Sequence, residues 1–270
     1  MNYINKILRF LSIKVVKISL YLEIKFLIKF IFFISNTSFD FAEKKLTSGN
    51  KSLYIARLSR LYYYTLGINS RINLLLDEYL IFSNNLKIKK HDYLIDVGAN
   101  IGEFTIGFNT VFNNENFIAI EPDPTEYSVL KKNLSNFKNC FTYNIALSNK
   151  TGNVNFYLAN ESGDSSLDNI TKKSINVECK TLDSVTKKIE NIGLIKLEAE
   201  GHEPEILKGS INTLKKTKYI TVDVGPERNN CSTYESVNEI LVRNNFKLLN
   251  RGKTRDTVIY YNANLINHNN

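Results

Sequence analysis

The stretch Tyr93-Leu94-Ile95-Asp96-Val97-Gly98-Ala99-Asn100-Ile101-Gly102-Glu103-Phe104 places an acid at the end of an apolar run and two glycines just beyond it. Glycines at a strand-to-helix turn let backbone approach a ligand closely, and the helix start offers free N–H groups and a positive dipole end. The spacing Asp-x-Gly-x-x-x-Gly lacks the Lys-Ser/Thr of a phosphate-binding loop and the Gly-x-Gly-x-x-Gly of a dinucleotide fingerprint. Asp96 is an awkward neighbour for a pyrophosphate and suits a cation. Further on, Phe117-Ile118-Ala119-Ile120 ends at Glu121, a carboxylate placed to accept hydrogen bonds from both hydroxyls of a ribose. The two features predict an adenosine-bearing cationic ligand, and S-adenosylmethionine carries both a sulfonium and an ammonium.

A second group of titratable residues follows Leu194. Glu198 and Glu200 fall at the tip of another apolar run, the edge where open α/β sheets bind ligands. Carboxylates that close repel unless a cationic ligand or Lys196 compensates them. His202 stands beside them and is able to take a proton at neutral pH. Glu203 and Glu205 suit the start of a helix and read as structural. Asp223-Val224-Gly225-Pro226-Glu227-Arg228 lines an acceptor pocket or makes a sharp turn.

The elements that must position these residues follow from periodicity. Strands are predicted at Tyr93–Val97, Phe117–Ile120, Cys140–Ile145, Leu194–Glu198, Tyr219–Val224, Lys247–Leu249 and Thr257–Tyr261, with helices at Glu103–Phe112, Thr125–Phe137, Glu203–Lys216 and Tyr234–Asn244. Such alternation argues a parallel sheet covered on both faces. Val154–Leu158 with Val177–Thr181 interrupts the rhythm around the Ser162–Ser166 loop. Upstream, Asn36–Asn50 reads as a loop, while Lys51–Leu66 and Ser70–Leu86 have helical spacing. The expected divisions are a basic apolar helix at 1–35, a helical extension at 36–90, the α/β domain at 91–262 and a polar tail at 263–270.

Composition bounds the function. With 270 residues and 43% hydrophobic content the chain buries a real core. Its net charge of +8 divides unevenly: residues 1–90 carry 15 basic and 5 acidic residues, and the remainder 20 and 22. Basicity confined to the N-terminal third and interleaved with Ile, Leu and Phe points away from nucleic acid and toward an anionic membrane surface, the alternative reading of residues 1–35 being a helix packed on its own domain or on a second subunit. The uncharged run of roughly 18 residues needed for a transmembrane span is missing, as is the apolar core of a signal peptide. This predicts a cytoplasmic protein, peripheral on the inner face of the cytoplasmic membrane. Three widely spaced cysteines fit neither a disulfide framework nor a zinc site, and no metal is expected.

The sequence from about Tyr93 to about Leu249 resembles the FkbM-type S-adenosylmethionine-dependent methyltransferases. The resemblance rests on Asp96-Val-Gly-Ala-Asn-Ile-Gly-Glu-Phe104, Glu121-Pro-Asp-Pro124, Asn133, Ala146-Leu147-Ser148, and Ile195-Lys-Leu-Glu-Ala-Glu-Gly-His-Glu203 with Leu207-Lys-Gly209. It implies a Rossmann-like class I methyltransferase sheet of seven strands with helices on both faces, preceded here by a helical extension. It further implies methyl transfer to a hydroxyl, frequently of a sugar in a glycan or glycolipid. Asp96, Gly98, Asn100, Gly102, Glu103, Glu121 and Ala146 would hold the cofactor, and Glu198, Glu200 and His202 would serve catalysis. Family members commonly carry Asp where this chain has Glu198. Two rival readings remain open on the sequence: a nicotinamide-dependent oxidoreductase on the same sheet, and a non-catalytic adenosine-binding or membrane scaffold module.

Overall fold

The computed structural model describes residues 11, 13–19, 25–82, 84–158 and 173–266; the Ser162–Ser166 loop, parts of the expected 1–35 helix and the last four residues of the tail lie outside them. The chain divides into two compact units, one running to Leu74 and the other starting at Leu75.

In the first unit, helix α1 (Lys25–Ile34) precedes an antiparallel sheet of β1 (Ser38–Asp40), β2 (Lys45–Ser48) and β3 (Lys51–Tyr54). This corrects two expectations: Asn36–Asn50 is not a loop throughout, and Lys51–Leu66 begins as a strand and is helical only over Leu58–Tyr64. Ser48 pairs with Lys51 across Gly49-Asn50, a two-residue hairpin turn in which Gly49 takes φ +56°. The register sets Phe39 opposite Leu46 and Leu46 opposite Leu53, so three buried side chains share one face. Leu58–Tyr64 then forms a 3-10 helix. The boundary between the units falls inside α2 (Ile68–Glu78).

The second unit is a seven-stranded sheet in the order β12-β13-β11-β10-β4-β5-β6. Its strands are β4 (Tyr93–Val97), β5 (Asn116–Ile120), β6 (Asn139–Tyr143), β10 (Ile192–Leu197), β11 (Thr217–Asp223), β12 (Phe246–Arg251) and β13 (Thr257–Asn262). All neighbours run parallel except the pairs involving β13. Every residue of β10 is buried, as expected of a parallel strand covered on both faces by α3 (Glu103–Phe112), α4 (Pro124–Asn133) and the later helices. Ile95, Ile118, Ile195, Ile220 and Val258 form the centre of the core. The interruption after β6 is a separate small sheet of β7 (Ala146–Leu147), β8 (Gly152–Tyr157) and β9 (Ser174–Lys180).

After the single turn α5 (Leu182–Val185), one predicted helix proves to be two. Glu203–Lys216 breaks into α6 (Glu203–Lys208) and α7 (Ile211–Leu214) before α8 (Tyr234–Arg243). The break falls at Gly209, where a β-carbon would stand 2.3 Å from the Ser148 carbonyl oxygen, so the end of β7 and the end of α6 pack backbone to backbone. Strand order reverses between β4 and β10, and the site lies at the carboxyl ends of those two strands. No described helix is long and apolar enough to cross a membrane.

Candidate cofactor and active site

The loop after β4 satisfies its own backbone. Gly98 and Ala99 both donate to the Ile120 carbonyl at 3.0 Å, and Gly102 donates to Ala99 at 2.8 Å. Asn100 donates its amide to Glu121 Oε2 at 2.8 Å, and Ile101 donates to the Asn100 side chain at 3.0 Å. A dinucleotide loop needs such amides for its pyrophosphate. Here these five amides are engaged within the protein, which together with the glycine spacing counts against the nicotinamide reading.

Glu121 therefore does more than terminate β5. Its second oxygen accepts from the Asp123 amide at 2.9 Å, so the carboxylate clamps the glycine loop to the β5 tip, and Asp123 in turn caps α4. Burial pushes the Glu121 carboxyl up to about 7, against the opposing pull of these two amide donors. Asn133 reaches from α4 to the Ile101 carbonyl at 2.8 Å and holds the outer side of the loop. Asn100 takes φ +51°, and Glu103 is buried as the first residue of α3. Ala146 is placed differently: its side chain packs with Phe156, Val177 and Cys179 in the core of the small sheet.

On the neighbouring strand Lys196 is buried, and its ammonium gathers both halves of the site. It donates to the carbonyls of Val97 and Gly98 at 3.2 and 2.7 Å and pairs with Asp96 at 3.4 Å and Glu198 at 2.9 Å. Asp96 also accepts from Thr105 at 2.8 Å. Glu198 is held from the other side by Arg255 of the β12–β13 hairpin. Burial would raise the Glu198 carboxyl, but Lys196 and Arg255 outweigh it and hold the group well below the usual carboxylate range. Of the two compensations expected for this carboxylate, a cationic ligand or Lys196, the fold supplies Lys196 and adds Arg255.

Arg255 also donates to Asp223 at 2.6 Å and lies 3.6 Å from Glu78, with its guanidinium over the buried Tyr79 ring. Four carboxylates, Glu78, Asp96, Glu198 and Asp223, thus share two cations, Lys196 and Arg255. Burial pushes the Asp96 and Asp223 carboxyls up against the pull of Lys196 and Arg255, so an added cation such as a sulfonium or ammonium group would favour their ionised forms. Arg255, Tyr79 and Glu78 were not found by sequence reasoning: Arg255 lies 57 positions beyond Glu198 in a polar hairpin, and nothing local marks it.

The turn after Glu198 is built around Glu200, which adopts φ +51°, a strained conformation for a non-glycine residue. Glu203 enforces it. One of its carboxylate oxygens accepts from the amides of Ala199 and Gly201, on either side of Glu200, at 2.9 and 3.1 Å. The other accepts from Thr233 at 3.2 Å, so Glu203 is structural, as expected. His202 lies within a string of polar groups: Nε2 is 3.0 Å from the Ser148 hydroxyl, Nδ1 is 3.8 Å from Glu205, and Glu205 pairs with Arg228. A cleft of about 470 Å³ opens between Asp223–Glu227 and the Gly252–Asp256 hairpin, with Glu78 at its side; its lining reaches the turn through Arg255, which pairs with Glu198.

Residues 96–248 match the Methyltransferase FkbM domain. The chain belongs to the FkbM methyltransferase family. Membership makes S-adenosylmethionine the cofactor. Among curated FkbM relatives, the hexuronic acid methyltransferase AglP of Haloferax volcanii is 25% identical over 139 residues, 50% of this chain and 57% of the relative. The 2-O-methyltransferase NoeI of Sinorhizobium fredii is 24% identical over 152 residues, 49% of this chain and 63% of the relative. The matches thus span less than two thirds of either relative. Among solved structures, fibrillarin from Aeropyrum pernix with bound S-adenosyl-L-methionine covers 69% of this chain and 73% of its own, at 12% identity and a TM-score of 0.42.

Proposed function

We propose that this FkbM-family protein is an O-methyltransferase that methylates a hydroxyl of a sugar in a glycan or glycolipid. The observation that carries the reading is the turn Glu198–His202, strained at Glu200 and set against the glycine loop by Lys196. The names of the two curated relatives support a sugar-like acceptor. Asp96, Gly98, Asn100, Gly102, Glu103 and Glu121 hold the cofactor, and the assignment of Ala146 to the same task is limited to its backbone. When bound, the cofactor supplies an activated methyl group for in-line displacement by an acceptor oxygen.

The chain's own residues orient that oxygen and take its proton. His202 accepts it at Nε2, with Glu205 near Nδ1 to steady the imidazolium that results. Glu200 projects from the same turn and orients the acceptor, which enters through the cleft between Asp223 and the β12–β13 hairpin. Glu198 faces the methionine end of the cofactor.

The test is incubation with methyl-labelled S-adenosylmethionine and a panel of neutral, amino and uronic methyl glycosides together with a glycolipid extract. Label recovered as a methyl ether on sugar oxygen is the expected result. Label transferred only to nitrogen or carbon, or to nothing in the panel or extract, counts against the reading.

The same proposal places the protein on the inner face of the cytoplasmic membrane. Helix α1 is apolar on two faces: Ile28, Ile31 and Phe32 are buried, while Phe30, Phe33 and Ile34 are exposed, Phe33 at 80%, beside exposed Lys25 and Lys29. An exposed apolar strip flanked by lysines suits an anionic lipid interface.

A further inference from the structure

We infer that Arg255 is a positioning residue for the cofactor site, acting through Glu198. It lies outside the matched family segment, in the hairpin that follows β12, and no step of the reaction assigned above uses it. The hairpin is shaped to send it back over the sheet edge. A β-carbon on Gly252 would stand 2.3 Å from the Arg255 carbonyl oxygen, and Thr257 donates its amide to that same carbonyl at 2.8 Å. The Thr257 hydroxyl then ties the hairpin to the Glu78 carbonyl at 2.6 Å. Only a planar, multiply donating guanidinium can reach Glu198, Asp223 and Glu78 from one position.

Arg255 and Lys196 hold Glu198 from opposite sides. Lys196 fixes the carboxylate to the glycine loop, and Arg255 fixes it to the tip of β11 and the end of α2. The Glu198 side chain has three rotatable bonds, so its carboxylate has rotamer freedom to lose when it is fixed. The second cation removes that freedom. Arg255 thus orients a carboxylate that, in the functional reading above, faces the methionine end of the cofactor; the inference rests on that reading.

The experiment measures calorimetric affinities of the full chain for S-adenosylmethionine and S-adenosylhomocysteine in R255Q, R255K, E198Q and the double variant R255Q/E198Q, with a thermal melt of each. R255Q is expected to weaken S-adenosylmethionine binding at least tenfold. R255K should recover little of it, because an ammonium cannot span three carboxylates. In the E198Q background, R255Q should change affinity by less than twofold, and the loss in E198Q should be greater for S-adenosylmethionine than for its product, which lacks the sulfonium charge. If R255Q melts below the assay temperature, R255K and R255K/E198Q make the same comparison. Parental affinity in E198Q shows that Glu198 does not face the cofactor, and the inference falls with that reading. A loss in E198Q, combined with an equal loss from the Arg255 change in both backgrounds, overturns the role of Arg255 alone.

Discussion

Gly98 and Glu198 meet through their backbones: a β-carbon on Gly98 would stand 2.1 Å from the Glu198 carbonyl oxygen, while the Glu198 amide donates to Val97 at 3.2 Å. The glycine is thus required by the seam between β4 and β10, not only by a ligand. Gly98 also takes φ +69°, so any side chain there is strained whatever the space. Gly98→Ala should therefore destabilise the apo protein by about 2–4 kcal/mol through overpacking against backbone. A denaturant titration checks this, and parental stability with only ligand binding lost would return the glycine to a purely ligand-facing role.

Glu121 predicts a pH dependence of cofactor binding. Its carboxyl is pushed up to about 7 in the unliganded protein, and ribose hydroxyls donate best to the ionised form. Protonation then competes with binding: affinity for S-adenosylhomocysteine should be flat above about pH 7.5 and fall up to tenfold per unit below about 7. Glu121→Gln should bind more weakly at high pH and lose this slope. Calorimetry between pH 5.5 and 8.5 decides it, with an unchanged slope in the variant assigning the titration elsewhere.

His202 and Ser148 separate a base from its neighbour. If His202 takes the proton, His202→Ala should slow methyl transfer by roughly 10²–10⁴-fold at saturating cofactor, with cofactor affinity unchanged. Ser148→Ala removes the hydroxyl 3.0 Å from Nε2 and should leave turnover within a few-fold of the parent. Single-turnover rates on any acceptor found with the glycoside panel make the comparison. A His202 variant with the parental rate moves proton removal to Glu200 or solvent.

The exposed face of α1 predicts salt-sensitive membrane binding. Residues 1–35 carry six basic residues and one acid, and each basic group near an anionic surface contributes about 1 kcal/mol. The protein should float with anionic liposomes at low salt, less so at high salt, and not with neutral ones. Phe33→Glu with Ile34→Glu should abolish flotation without altering the melting transition, since both side chains are already exposed. A parental flotation profile in that variant excludes this face as the contact.

The alternation of apolar runs and helical spacing from Tyr93 onward determined the α/β sheet, and the positions of Asp96, Glu121 and Glu198 at strand tips followed from it. Those features are local: a strand is recognised by its own residues, and a residue at its carboxyl end needs no distant partner to be placed there. The sheet β1–β3 was misread because its strands are only three to four residues long, too short for period-2 alternation to outweigh helical spacing, although Gly49-Asn50 is a usable hairpin signal. The break at Gly209 was hidden for a different reason, since it depends on Ser148 in another element.

What the sequence alone determined, then, was which residues stand at the ligand edge and what class of ligand their charges admit. Only tertiary structure decided how those charges are satisfied. Lys196 is two residues from Glu198, where the turn it staples to Gly98 begins, but Arg255 and Tyr79 come from opposite ends of the second unit, and Glu203 acts by gripping amides on both sides of Glu200. Ion pairs and clamps of this kind depend on distances through space, which a linear sequence does not encode locally; closing the sheet brings the β12–β13 hairpin to Glu198, and that contact exists only once β13 has inserted beside β11.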